Sequence, residues 1–117
     1  MNSLKINVGT DIVEVKRLRL KPIKDHTTFY KNIFTESELM HCLKFSDPYP
    51  HLAGIFAAKE AIIKCYDKPL RMVDIKITWD TNGKPIAIVH YEKKTNNVNI
   101  SISHTQMLAI AVAINTT

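Results

Sequence analysis

Asp11 and Glu60 are the two residues whose types and settings most invite chemistry. Asp11 closes an alternating apolar segment, and Glu60 stands inside an apolar helical pattern, so neither is an obvious solvated surface carboxylate. Brought together, they suit a hard cation. Mg²⁺ takes oxygen ligands, keeps several waters, and is commonly held by one or two carboxylates plus substrate phosphates. Plainer readings stand beside this one: Asp11 as a helix cap, and Glu60 as the i,i+4 partner of Lys64. Lys59 and Lys64 flank Glu60, and positive charge there would stabilise charge developing on a leaving phosphate. Lysines on a helix are nevertheless most often surface residues. His104 carries the apolar phase of Val98, Ile100 and Ile102 to a strand end, a setting where a structural hydrogen bond is the commoner role. Ser103 and His104 are adjacent on that strand and point to opposite faces, so they do not pair as nucleophile and base.

The elements that must position these groups follow from periodicity. Leu4, Ile6 and Val8 alternate with Lys5, Asn7 and Gly9, the pattern of a half-buried strand that ends near Asp11. Asp11 and Glu14 have capping-box spacing, which would open a basic helix limited by Pro22. A second helical stretch runs from about Thr28 to Phe34. Thr35 and Glu38 repeat the cap signature before Leu39, Cys42 and Leu43, and the Pro48–Pro50 region breaks that helix. A longer helix is expected from His51 to Tyr66, with an apolar stripe through Leu52, Ile55, Phe56, Ile63 and Tyr66 that passes beside Lys59 and Glu60.

Beyond Val73 the period becomes two. Ile75, Ile77 and Trp79 lead to an Asn82-Gly83 hairpin turn, Pro85 to Tyr91 returns, Lys93 to Asn97 turns again, and strands follow through Ile102 and from Leu108 to Ile114. Ala109, Ala111 and Ala113 share one face, which would let a helix approach the sheet closely. With no repeat, linker or low-complexity segment, residues 1–117 read as a single α+β domain: one N-terminal strand, helices, then an antiparallel meander.

Bulk properties narrow the classes. The 117 residues are 45% hydrophobic and 23% charged, which fits one folded core rather than disorder. Sixteen Lys and Arg against eleven Asp and Glu favour a polyanionic partner, and Lys16, Arg17, Arg19, Lys21 and Lys24 form the local cluster suited to dock one or, more plainly, a solvated helix face. Cys42 and Cys65 lack metal-ligand spacing and read as reduced core residues. No Gly-rich dinucleotide or P-loop motif and no zinc spacing occurs. The N-terminus lacks an apolar signal core and no apolar run reaches bilayer length, so a cytoplasmic address without membrane association is expected. The basic helix lacks an aromatic stacking platform, which lowers a nucleic-acid reading.

Four segments in order, V-G-T-D-I-V-E at 8–14, F-A-A-K-E-A-I-I-K at 56–64, N-G-K-P at 82–85 and S-I-S-H-T at 101–105, resemble the holo-acyl-carrier-protein synthases, the short type of 4′-phosphopantetheinyl transferase. The resemblance is colinear over nearly the whole chain. It implies a 4′-phosphopantetheinyl transferase-like fold and transfer of 4′-phosphopantetheine from coenzyme A to a serine of an apo-acyl carrier protein. By the same resemblance Asp11 and Glu60 match Mg²⁺ ligands, and Glu60 is the candidate acceptor of the serine proton. Lys64 matches a lysine assisting departure of adenosine 3′,5′-bisphosphate, and Lys59 lies near the phosphates. Gly83, Lys84 and Pro85 match a turn lining the nucleotide pocket, which Ser103 and His104 close. The resemblance further implies a homotrimer with sites between subunits, and a carrier docked on Lys16, Arg17, Lys21 and Lys24. Ile55 departs from the pattern, since many members carry Arg there; greater reliance on Lys59 and Lys84, or else weaker coenzyme A binding, would follow from the missing contact. A same-fold enzyme dedicated to a polyketide or peptide synthase carrier, and a non-catalytic basic module holding RNA or acidic proteins, are the rival readings.

Overall fold

The structure, a computed structural model, describes residues 4–116. Strand β1 (Ile6–Glu14) leads into four helices, α1 (Val15–Arg19), α2 (Thr27–Lys31), α3 (Glu36–Cys42) and α4 (Tyr49–Ile63). Strands β2 (Ile75–Trp79), β3 (Pro85–Tyr91), β4 (Lys94–His104) and β5 (Leu108–Thr116) complete the chain. The sheet has the order β1-β5-β4-β3-β2, and every neighbouring pair is antiparallel. The first strand therefore joins the meander beside the last, Asp11 standing opposite Ala111. This is the α+β arrangement expected. Among the described residues, no helix is long and apolar enough to cross a membrane.

Helix α4 crosses one face of the sheet at close range because the facing side chains are small. Ala109, Ala111 and Ala113 are buried beneath it. A Cβ on Gly9 would sit 1.9 Å from the Ala61 carbonyl oxygen, and one on Gly54 would sit 2.9 Å from Ile102 Cγ2. With the sheet on one side and α1 and α3 on others, α4 buries nearly every residue from Leu52 to Lys59. The expected single stripe is thus a helix buried almost all round.

The capping box of α3 is formed as expected: Thr35 Oγ1 accepts from the Glu38 amide at 3.2 Å, and the Glu38 carboxylate accepts from the Thr35 amide at 2.9 Å. Asp11 behaves differently. Strand β1 runs on to Glu14, and α1 starts without a side-chain cap, so Asp11 is a mid-strand residue rather than a helix cap. The β3–β4 turn is tighter than expected. Glu92 and Lys93 take positive φ values of 50° and 65°, the geometry of a two-residue hairpin, and Lys94 already belongs to β4.

The phase of β1 is also the reverse of a conventional half-buried strand. Asn7, Gly9, Asp11 and Val13 face α4, whereas Ile6, Val8 and Ile12 face away. Together with Leu108, Ile110, Val112 and Ile114 of β5 they form a bare apolar sheet face, each side chain 38% to 64% exposed. The period-two pattern locates the strand correctly, but its apolar row lies on the side that no helix of this chain covers.

Candidate active site

Asp11 reaches the α4 side of the sheet because it shares the inward phase of Gly9, where the strand and helix nearly touch. Lys64, at the C-terminal end of α4, donates from Nζ to the Thr10 carbonyl at 2.8 Å and lies 3.4 Å from Asp11 Oδ1. The Asp11 side chain is 21% exposed and that of Lys64 54%, so both remain open to a ligand. Glu60 is half-buried one turn earlier on the same helix face, and its carbonyl accepts the Lys64 amide at 3.2 Å. Among the described residues Glu60 makes no ion pair, so the lysine turns to Asp11 rather than to its i,i+4 neighbour. Two carboxylates with oxygen donors only are a set suited to a hard cation. Among the described residues no group of three His, Cys, Asp or Glu side chains is arranged to hold a metal ion, so a cation here would complete its shell from water and ligand oxygens.

Lys59 is placed elsewhere. Five residues before Lys64, it is turned into the space between α4, α3 and β2, and its side chain is 0% exposed. Its Nζ lies 2.7 Å from Glu38 Oε1 and donates to the carbonyls of Ile33, at 2.7 Å, and Met72, at 3.3 Å. Burial pushes the Lys59 ammonium below its ordinary pKa, and the Glu38 carboxylate pulls it part of the way back. Glu38 in turn accepts from the Ile77 amide at 2.7 Å, satisfying part of the outer edge of β2. With every donor of Lys59 engaged and no route to solvent, the expectation that it faces phosphates is corrected: it fastens α4 to its neighbours. It also supplies no charge in compensation for Ile55.

A second group of expected residues meets near the other end of α4. Asp80 organises the β2–β3 turn, its Oδ1 accepting from the amides of Asn82 and Lys84 at 2.8 and 2.9 Å, and Gly83 adopts φ 81°, which favours glycine. Gly83, Pro85 and His104 then line one open cavity of about 220 Å³, with the buried Ile55 in its wall. Lys84 is exposed in the same turn. Ser103 is on the opposite face: it stands in register with Ile110 on the bare side of the sheet, away from the His104 cavity. The reading from residues alone overlooked His41, His51 and Trp79, which complete the cavity. A signal was present, since His51 stands in the first turn of the helix that carries Lys59 and Glu60 and is capped by Lys64.

Lys16, Arg17, Lys21 and Lys24 are all exposed. Arg17 lies over the Phe56 ring at 5.1 Å and Lys21 over Phe29 at 4.5 Å, so their stems are seated while their charges face water. Arg19 is engaged by Asp47 through two hydrogen bonds of 3.0 and 2.7 Å. Lys16 and Arg17 border a groove of about 500 Å³ with Ile12, Leu20 and Leu108, continuous with the bare sheet face.

A five-stranded antiparallel sheet crossed on one face by a glycine-fitted helix, with an acid–lysine cluster near one end of that helix and a hairpin-lined cavity near the other, defines the α+β architecture of the molecule. Residues 7–113 match the model of the 4′-phosphopantetheinyl transferase superfamily, and the chain belongs to that family. It is 38% identical over 113 residues to a holo-[acyl-carrier-protein] synthase of Chlorobaculum tepidum, a match covering 93% of this chain and 97% of the relative. Among solved structures it resembles a holo-(acyl-carrier-protein) synthase from Bacillus anthracis in complex with CoA (3′,5′-ADP), with TM-score 0.78, 30% identity and 96% of each chain covered. It also resembles the Helicobacter pylori holo-[acyl-carrier-protein] synthase in complex with coenzyme A, with TM-score 0.77, 31% identity, and 91% and 96% of the two chains covered.

Proposed function

We propose that this protein transfers 4′-phosphopantetheine from coenzyme A to a serine of an apo-acyl carrier protein, releasing adenosine 3′,5′-bisphosphate. The observation that carries the reading is Lys64 held against Asp11, one turn from Glu60, in a chain of this family. In the reaction the serine oxygen bonds to the phosphorus that bears the pantetheine arm, and the bond from that phosphorus to the bridging oxygen breaks. Glu60 receives the serine proton, directly or through one water. The Lys64 ammonium stabilises the charge that develops on the leaving phosphate, fixed there in advance by the Thr10 carbonyl and Asp11. Asp11 and Glu60 would hold Mg²⁺, which when bound polarises phosphate oxygens and offsets their charge.

Two features support assembly into a homotrimer. The bare face of β1 and β5 is a contiguous apolar surface of the kind that marks an interface. In addition, Gly54, which lines the Gly83–His104 cavity, and Lys64 are ten residues apart on α4, roughly 15 Å at 1.5 Å per residue. A site at a subunit boundary lets one copy supply the acid–lysine cluster and its neighbour the cavity. The exposed Lys16, Arg17, Lys21 and Lys24 suit an acidic carrier helix, because complementary charge speeds and orients docking. Such a reaction belongs in the cytoplasm, with its carrier.

Mass spectrometry of an apo-carrier incubated with the protein, coenzyme A and Mg²⁺ tests the reading, which predicts a mass increase of one phosphopantetheine. No increase with any of several apo-carriers would refute it. Asp11→Ala and Glu60→Ala are expected to lose most turnover, and normal rates in both at excess Mg²⁺ would remove their assigned roles.

A further inference from the structure

The basic segment that follows β1 has little local structure to fix it. Helix α1 is only five residues long, and so short a helix is marginal in water by itself. Of its last carbonyls, those of Lys16 and Leu18 accept the Leu20 and Lys21 amides at 3.0 and 2.9 Å, after which Pro22 brings no amide to carry the chain on. Lys21 and Lys24 are nevertheless presented from this stretch, and two phenols from other elements meet its backbone. Tyr30 of α2 directs its hydroxyl at the Lys21 carbonyl, 2.7 Å away, and at the Leu18 carbonyl, 3.2 Å away. Tyr49, in the first turn of α4, accepts from the Ile23 amide at 3.3 Å.

Tyr30 is 1% exposed, and its ring is fixed without help from the hydroxyl: it meets Phe29 edge to face at 5.1 Å and stacks on Phe34 at 5.8 Å. Burial first, and Tyr49 second, push the phenol up to about 12, so around neutral pH it remains an O–H donor. One proton serves one carbonyl at a time, and the shorter contact gives Lys21 the first claim. The neighbouring Phe29 receives the same lysine from its other end, with Nζ 4.5 Å from the ring centroid. Two consecutive residues of α2 thus hold Lys21 by its backbone and by its ammonium, although its side chain is exposed. Among the described residues neither Lys21 nor Lys24 is in an ion pair, so the fixed charges are left for a partner. Ordering them before the partner arrives lowers the entropic cost of docking.

We propose that Tyr30 is a positioning residue for the carrier: its hydroxyl holds the chain between Leu18 and Lys21 so that Lys21 and Lys24 meet an acidic partner surface in one fixed arrangement. This rests on the reading of Lys16, Arg17, Lys21 and Lys24 as the carrier's docking surface. A hydroxyl that served only the stability of the fold would leave the balance between the two substrates untouched. A positioning role acts on the carrier alone, because the contacts that hold Lys64 against Thr10 and Asp11 involve no residue of the segment that Tyr30 supports.

Tyr30→Phe deletes the hydroxyl and keeps the ring. Steady-state kinetics with an apo-acyl carrier protein and coenzyme A are expected to show the carrier KM raised about fivefold, with kcat and the coenzyme A KM within about twofold of their original values, since misplaced surface charge acts on encounter and docking. The ratio of carrier KM values between variant and parent should fall below about twofold at about 0.5 M NaCl, where exposed charges are screened. Phe29→Leu removes the seat under the Lys21 ammonium and should raise the carrier KM in the same direction. Lys21→Ala should raise it too, and combined with Tyr30→Phe should give less than the product of the two single effects, because both act through one charge. A carrier KM that Lys21→Ala raises and Tyr30→Phe does not, an equal change in the coenzyme A KM or in kcat, or a ratio that persists at high salt would overturn the proposal. A carrier KM indifferent to Lys21→Ala and Lys24→Ala alike would instead refute the docking reading, and the positioning role with it.

Discussion

Lys59 and Lys64 lie five residues apart on one helix and occupy opposite electrostatic worlds. Around Lys59, water is excluded, the partner carboxylate of Glu38 is equally buried, and two backbone carbonyls take the remaining donors. Around Lys64, one carbonyl and one partly exposed carboxylate leave donors free for a ligand. Five residues turn a helix by about 500°, so the two side chains leave it on different sides. One side meets α3 and β2, and the other opens past the edge strand β1. The lesson is that a charge on this helix binds the fold together when its neighbours complete its shell, and does chemistry when they leave it incomplete.

The comparison is broken most forcefully at its dry end. Lys59→Met should cost about 3–5 kcal/mol by leaving Glu38 buried without a counter-charge, measured by denaturant unfolding. Adding Glu38→Gln should recover part of that loss, because a neutral amide needs no cation; a strictly additive double mutant would show that the pair is not coupled. Gly9→Ala strikes the support of the wet end, since the new methyl would collide with the Ala61 carbonyl oxygen. Strand and helix must part there, with an expected loss of about 2–3 kcal/mol in unfolding and a fall in turnover from displacement of Asp11. Lys64→Ala should separate the two regions cleanly, changing stability by less than about 1 kcal/mol while reducing turnover at least tenfold. The smallest effect is in salt. A double-mutant cycle on Asp11 and Lys64 should lose its coupling between 0.05 and 1 M NaCl, and the Glu38–Lys59 cycle should keep its own, because only the exposed pair is screened.

Much of this architecture is legible in local residue order. The Thr35–Glu38 box, the Gly83 turn and the alanine row of β5 depend on neighbours a few positions away, so their patterns translate directly into hydrogen bonds and close packing. Asp11, Glu60 and Lys64 could also be singled out, because charges at the edge of an apolar pattern are conspicuous. Lys59 gave the same signal and met another fate, since nothing near it in sequence reveals that Glu38 will lie opposite. His41 and His51 escaped notice for a related reason: they come from two separate elements and acquire meaning only where they meet His104 in one wall.

The sequence by itself therefore determined the kinds of element, their order, the family motifs and the residues able to bear charge, because short-range sterics and hydrogen bonding act within a few residues. Tertiary structure alone decided which face of each element was covered. Strand β1 carries its apolar row on the bare side and its aspartate toward α4, and one lysine of that helix is sealed while the other is free. A side chain's environment is set by what packs against it from distant parts of the chain, and a periodic pattern specifies two faces without specifying which will meet a neighbour.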